Sequence, residues 1–436
     1  MAAFGTTLRS RVGFAFGCSL LMVVFADVHS TLYAGEDLTL RISAGDHARA
    51  ASPVSTMIVL PSDYGTDVIA EAKTADGRKI PAQVTGLSLL DKPIESEEGF
   101  TAYRLWLAAP AIAAGESLDV IVTKVEPGKI DAVADGFHWQ DEPGQHNDLL
   151  FGDRPVMRYQ YAAYVNEEDK RDLNNKPFHH LFDSTGKMLV TKGSGGFYTH
   201  HQGLFYGFTR ITRDGVTSNL WYCHDGEFQS HEEVLEETAG PVLGRHRVRI
   251  TWRNQAGEPL CSEIREMTAY HAEGGTLVQF ASKLSSAGGT LVLDGDPQHA
   301  GFQFRAADEV AVREKEKLTY YLRVDGKGEP GQERNFPEDP SMKDLPWNAM
   351  SFVLGDKRFT AVYVDHPQNP KPSFYSERIY GRFGSWFGTQ TLKEGGEPIA
   401  ITYRIWLQDG EMSVEDAQNL STNFAAPTKV EMVEGL

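Results

Sequence analysis

Alternation with a period of two, broken at short intervals by turn residues, governs what this chain can become. In "RVRITWR" Val248, Ile250 and Trp252 fall on one side, and Arg247, Arg249, Thr251 and Arg253 on the other. In "IAITYRIWL" the residues Ile399, Ile401, Tyr403, Ile405 and Leu407 share a side. Successive strand side chains point to opposite faces, so such runs describe strands with one buried face. Between the runs lie "TADGRK", "NQAGEP", "HAEGG", "SSAGG", "VLGDKR" and "KEGGEP", all turn-formers. Long helical periodicity is absent. The best helix lies near the end, where Ser413 and Asp416 form a capping-box pattern before "AQNL". The expected fold class is all-β.

A chain of 436 residues exceeds one ordinary core. Residues 36–128 read as a small N-terminal β-sandwich, with strands in "STMIVLP", "AYRLWLA" and "SLDVIVTKV". A loop-like "DAVADGFHWQDEPGQHND" follows, and 149–436 reads as one large antiparallel β-supersandwich. Residues 325–344 form a long polar loop across it, a length usually functional or disordered.

Arg9 and Arg11 precede the apolar run Val12–Ala26, which ends in small residues. This is the pattern of a signal peptide over 1–26, with Ala34 as a later cleavage point. The expectation is an exported, periplasmic or extracellular protein without stable membrane integration. After that run, Cys223 and Cys261 are the remaining cysteines, open to pairing or to burial as free thiols. The formal charge of −18 and the absence of a basic block exclude a nucleic-acid partner.

The candidate chemistry lies in the histidines. "FYTHHQGLFYGF" holds His200 and His201. On a strand the pair would diverge, in a loop it would converge, and the glycines beside His201 would leave room for a ligand. "KPFHHLFD" carries His179 and His180, "GDPQHAGFQFRA" carries His299 and Arg305, and "VYVDHPQNP" carries Asp365, His366 and Asn369. A histidine suits general acid–base work because an imidazole ordinarily titrates near neutrality. The candidates for proton transfer are therefore His299, His201 and His200, with Asp365, His366 and Tyr380 as partners. Substrate contacts are expected from Arg305, Arg382, Asn369, Gln202, His180, Tyr206 and Trp386. The aromatics of "LFYGF", "LWYC" and "YGRFGSWFG" suit sugar C–H faces, and equally an all-β core. No zinc, P-loop, dinucleotide or nucleophile-elbow spacing occurs. No cofactor is expected, although a divalent metal held by scattered imidazoles stays open.

In their order, "RPVMRYQY", "KPFHHLFDSTGKML", "THHQGLFYGF", "HAGFQFR" and "VDHPQNP…YGRFG" resemble the so-called methane oxygenase PmoA-like family of secreted bacterial proteins. The likeness covers about 151–426. Gln202 stands where that family commonly has Arg. The resemblance implies a galactose-mutarotase-like supersandwich, a fold that hosts epimerases, lyases and glycosidase domains. "QHAGFQF" would then make His299 the counterpart of the epimerase histidine. The oxygenase label itself would require several apolar spans of about 20 residues, and none follows residue 26. The function these features point to is a carbohydrate-active enzyme of glycosidase, lyase or epimerase type. The alternatives are a non-catalytic glycan-binding protein and a His-rich metal-binding protein.

Overall fold

The computed structural model describes residues 37–92, 94, 96–128 and 135–433. The expected signal peptide, and Cys18 within it, lie outside the described residues. None of the described helices is long and apolar enough to cross a membrane.

The alternating sequences form antiparallel sheets throughout, so the fold is all-β. Two large sheets make the main body. The eight-stranded sheet runs, edge to edge, through Phe374–Arg378, Arg382–Trp386, Ala300–Arg305, Leu204–Phe208, Phe178–Leu181, Arg154–Gln160, His146–Phe151 and Phe137–Glu142. The nine-stranded sheet runs from Phe228–Ala239 through Leu243–Arg253, Pro259–Tyr270, Thr276–Ser286, Ile399–Asp409 and Lys357–Asp365 to Trp347–Leu354, Tyr320–Arg323 and Gly326–Lys327.

The core lies between these sheets. Phe302 stacks on Phe280 with ring centroids 4.1 Å apart, and Tyr206 meets Trp252 at 5.1 Å. Val248, Ile250 and Trp252, and the five residues from Ile399 to Leu407 predicted to share a face, all belong to this core. Burial of such faces is the principal stabilising term, at roughly 25 cal/mol per Å² of apolar surface removed from water.

The N-terminal unit pairs a three-stranded sheet (Ser52–Pro61, Phe100–Ala109, Ala82–Thr85) with a five-stranded one. The five-stranded sheet departs from the expected boundary. The C-terminal strand Lys429–Met432 pairs with Leu38–Ser43, so the tail returns to the first unit. The start of the second unit also differs. Part of the Asp- and Gly-rich connection is a hairpin, Phe137–Glu142 with His146–Phe151, on the edge of the eight-stranded sheet. Its turn residues disguised two short strands. The helix Val414–Ala425 begins as predicted, with Ser413 Oγ accepting from the Asp416 N–H at 3.0 Å.

The long loop is pinned. Asn335 bridges to Ser376 and Lys343 to Phe374, and Arg334 N–H donates to Glu377 at 3.0 Å. Cys223 and Cys261 are free and buried. Burial pushes the Cys223 thiol up to about 11.

Candidate functional site

The outer face of the eight-stranded sheet is where the histidines meet. Core positions on the central strands are Tyr206, Phe208, Phe302, Phe304 and Phe383, so Phe205, Gly207, Gly301, Gln303, Arg305, Arg382 and Gly384 face outward by alternation. Two loops cover this face.

The first loop precedes Leu204–Phe208 and carries the adjacent histidines. His201 N–H donates to Tyr198 O at 2.8 Å, closing a turn. The pair therefore sits off the strand and converges, with ring centroids 4.2 Å apart. Tyr198 adopts φ 52°, a left-handed conformation that a bulky residue rarely takes. Its ring stacks on Tyr380 at 4.5 Å.

The second loop follows Val216–Ser218. Asn219 Oδ1 accepts from the backbone N–H groups of Trp221 and Tyr222, at 3.2 and 2.9 Å. The turn lays the Leu220 backbone over Gly207, where a Cβ would stand 2.6 Å from Leu220 O. The glycine spacing after His201 thus admits a covering loop, not open room for a ligand. Trp221 packs on Phe205 at 4.9 Å, and Tyr222 meets His200 at 4.4 Å and His299 at 5.7 Å.

His299 enters from the turn before Ala300–Arg305. Its Nδ1 lies 2.9 Å from Asp296 Oδ1, and both side chains are partly open to solvent. Burial pushes the Asp296 carboxyl up, but the His299 contact and the N–H groups of Gln298 and His299 outweigh it. The net position is below the usual carboxylate range.

The surroundings are cationic. Lys176 and Arg382 are 2% and 1% exposed, and among the described residues neither has a carboxylate within the 4.0 Å of an ion pair. Lys176 Nζ donates to Trp221 O at 2.8 Å, while Arg382 donates to Gln303 and Ser376. Burial, followed by the charges of Lys176, His224, His299 and Arg382, lowers His200 to about 2. Burial and the neighbouring His200 hold His201 well below the ordinary range. Both rings are therefore neutral at physiological pH. His201 is 2% exposed and neither ring nitrogen finds a partner among the described residues, an arrangement that costs free energy unless something else satisfies it.

Several expected contributors do other work. Tyr206 is a core residue, 1% exposed, because it lies on the inward side of its strand. Gln202 ties its loop to the backbone oxygens of Asp172 and Leu173, at 3.1 and 3.3 Å. His180 is buried against Phe178 with Nδ1 3.0 Å from Thr191 Oγ1, and burial lowers it to about 3. Arg305 is fully buried. It bonds the backbone oxygens of Ala306 and Tyr380 and reaches Asp308 at 3.2 Å, so it props the Tyr380 turn. Trp386 packs on Phe374 at 5.6 Å, toward the sheet edge.

The largest correction concerns "VDHPQNP". Asp365 closes the strand Lys357–Asp365 and is 3% exposed. Its oxygens accept from Asn369 Nδ2 at 2.6 Å, Lys371 Nζ at 2.5 Å and Tyr375 OH at 3.0 Å. Asn369 also exchanges bonds with Thr402 N and O, at 2.7 Å each. This is a sealed knot on the nine-stranded sheet. His366 stands beside Phe424, 4.7 Å away, and burial lowers it. Neither Asp365, His366 nor Asn369 joins His299.

What comes together is His200, His201, His299, Tyr380 and Arg382. Sequence reasoning missed Asp296, His224 and Lys176. The Asp296–His299 spacing across "DGDPQH" was the available signal, since an aspartate closing a turn can reach the side chain three residues on. Among the described residues no group of three or more His, Cys, Asp or Glu is arranged to hold a metal ion.

No curated protein matches the chain. Among solved structures, an alpha-mannosidase from Enterococcus faecalis V583 is similar at TM-score 0.45 and 8% identity, over 92% of this chain and 46% of that one. A glycosyl hydrolase family 38 protein from Enterococcus faecalis gives 0.39 and 8%, over 91% and 47%. The chain thus spans about half the length of each. The model of a family of unknown function, DUF6807, matches residues 146–422, which hold the nine-stranded sheet, the eight-stranded sheet apart from its edge strand Phe137–Glu142, and every histidine of the cluster. With that match extending over more than half of its length, the chain belongs to the DUF6807 family.

Proposed function

We propose that the chain is a carbohydrate-active enzyme of hydrolase, lyase or epimerase type, with His299 as the proton-transfer group. The observation that carries this reading is the Asp296–His299 pair, open to solvent beside Tyr222 and His200. A carboxylate at Nδ1 favours the tautomer with its proton there. Nε2 then holds a lone pair toward a substrate, and Asp296 stabilises the imidazolium that forms, as in other acid–base dyads. The stacked rings of Tyr198 and Tyr380 give a platform for a sugar face. His200 and His201, held neutral, serve as hydrogen-bonding groups. Export belongs to the proposal and rests on the Val12–Ala26 segment. Nothing in it draws on the oxygenase name of the PmoA-like resemblance.

Its test is a panel of polysaccharides and aryl glycosides offered to the wild type, His299→Ala and Asp296→Asn. Turnover that disappears in His299→Ala while binding persists supports the enzyme. A second reading, a glycan-binding protein, is favoured by one observation: two adjacent imidazoles are kept from protonating at the centre of the site. Binding without turnover in the wild type, indifferent to His299→Ala, would establish that reading instead.

A further inference from the structure

On the far side of the large sandwich, the N-terminal unit meets the outer face of the nine-stranded sheet. The seam is well bonded. Gln83 Oε1 accepts from Val242 and Leu243 N–H at 3.0 and 2.9 Å, and Glu266 accepts from Leu89 N–H at 3.0 Å. Beside it lies a cleft of about 320 Å³, within the size range of small-molecule sites. Its floor is Gln279, Thr402 and Arg404, and its walls include Trp106, Trp406 and Phe424.

Arg404 is the unusual group. Its guanidinium lies over Phe424 at 4.5 Å and over Tyr270 at 5.7 Å. Its Nε donates to Gln279 Oε1 at 3.0 Å, and the Tyr270 hydroxyl is its other polar neighbour. Among the described residues no carboxylate lies within ion-pair distance. The remaining charges in the cleft are already matched. Arg104 binds Asp91, while Glu266 is held by Arg247 at 2.7 Å. A chain with 60 acidic against 42 basic residues leaves this cation without a counter-ion. A guanidinium oriented by ring faces presents a planar fork suited to a carboxylate. The rings beside it suit a sugar face, and Asn423, Thr428 and Ser55 on the rim suit hydroxyls.

We infer that this cleft is a second binding site, for a sugar acid of uronate type, anchored through its carboxylate by Arg404. The inference stands apart from the His299 reading, since the two sites lie on opposite faces of the sandwich. His366, stranded by the failure of its expected role, lines this cleft.

The probe is D-glucuronate, followed by calorimetry and by the fluorescence of Trp106 and Trp406, with its methyl ester as the uncharged control. We expect saturable binding in the wild type and unchanged binding in His299→Ala. Methyl esterification should weaken binding at least about 10-fold, as should Arg404→Gln at an unaltered circular dichroism spectrum. Equal affinity for acid and ester, indifference to Arg404→Gln, or no saturation in the millimolar range would overturn the site. Should Arg404→Gln fail to fold, a crystal of the wild type soaked in glucuronate decides. A carboxylate on Arg404 supports the inference, and one bound elsewhere or nowhere defeats it. Binding that vanished in His299→Ala would instead assign the uronate to the first site.

Discussion

The outer face of the eight-stranded sheet and the end of the strand Lys357–Asp365 use the same kinds of residue. Each gathers histidine, aspartate, lysine and tyrosine near strand ends. Around Asp365 the bonding is complete: both carboxylate oxygens are occupied, and Asn369 is bonded through both its amide nitrogen and oxygen. Around His200 it is incomplete. Among the described residues both His201 nitrogens and Trp221 Nε1 find no partner, and Lys176 and Arg382 have no carboxylate within ion-pair distance. A knot that satisfies itself has nothing left for a ligand, whereas a site with unused donors and uncompensated cations does. Residue type alone marks both regions equally, and the bonding separates them.

The sharpest test lies at His299. If the open region is the working one, His299→Ala should reduce turnover by about 10²–10⁴-fold, the usual contribution of general acid–base catalysis. Thermal stability should barely move, since His299 is partly exposed and bonds only its own turn. Turnover assays on the folded variant check this, and an undiminished rate would remove His299 from the chemistry.

Asp365→Ala should do the reverse. It removes the acceptor that Asn369, Lys371 and Tyr375 share. Each keeps a second one, in Thr402 O, Ser373 Oγ and Leu345 O, and the Lys371 side chain is 35% exposed, so the loss is about 1–3 kcal/mol. Denaturant unfolding should record that loss, while activity per folded molecule stays near wild type. A variant as stable as wild type but inactive would break the comparison outright and return Asp365 to the site.

Protonation offers a third, smaller handle. Burial is the first cause of the lowering at His180 and His246, to about 3, and at His200, to about 2. In the unfolded chain each would titrate near 6.5. Between those values the unfolded state binds the proton and the native state does not. Stability is therefore fully present above about pH 6.5 and is lost as pH falls, by about 1.4 kcal/mol per pH unit for each such histidine. Denaturant unfolding between about pH 4.5 and 6.5 measures the slope. His200→Gln should flatten it by one proton, and an unchanged slope would mean that His200 titrates normally in the native state.

How far the sequence revealed all this varies with the scale of the question. Period-two alternation dictated the sheet faces of Leu243–Arg253 and Ile399–Asp409, because burial acts on every second side chain. The same rule misled at Tyr206, where knowing that residues alternate does not say which set faces in. The hairpin before Phe151 was hidden by its own turn residues, and the return of Lys429–Met432 to the first unit is a pairing between chain ends that local pattern does not encode. At the site, His200 and His299 were visible as residue types. Lys176 was not, because a lysine in "NNKPF" looks like any loop lysine until the fold buries it beside Trp221 O.

The smallest expected effect belongs to Tyr380. As a proton donor its hydroxyl would be indispensable. The geometry gives it a different part: the ring stacks on Tyr198 at 4.5 Å and lies under the Arg305 guanidinium at 5.1 Å, while among the described residues the hydroxyl accepts only a long 3.4 Å contact from Arg382 Nε. Tyr380→Phe keeps the ring and both ring contacts. The change in turnover or glycan affinity should then stay within a few-fold, or about 1 kcal/mol. Tyr380→Ala removes the stack, worth about 0.5–1.5 kcal/mol, and should weaken binding more than the phenylalanine does. If Tyr380→Phe alone costs about 100-fold in rate with binding intact, the hydroxyl takes part in proton transfer. His299 would then have an acid opposite it, across the space bounded by Tyr222, and the open region would hold two proton-transfer groups where one is assigned here.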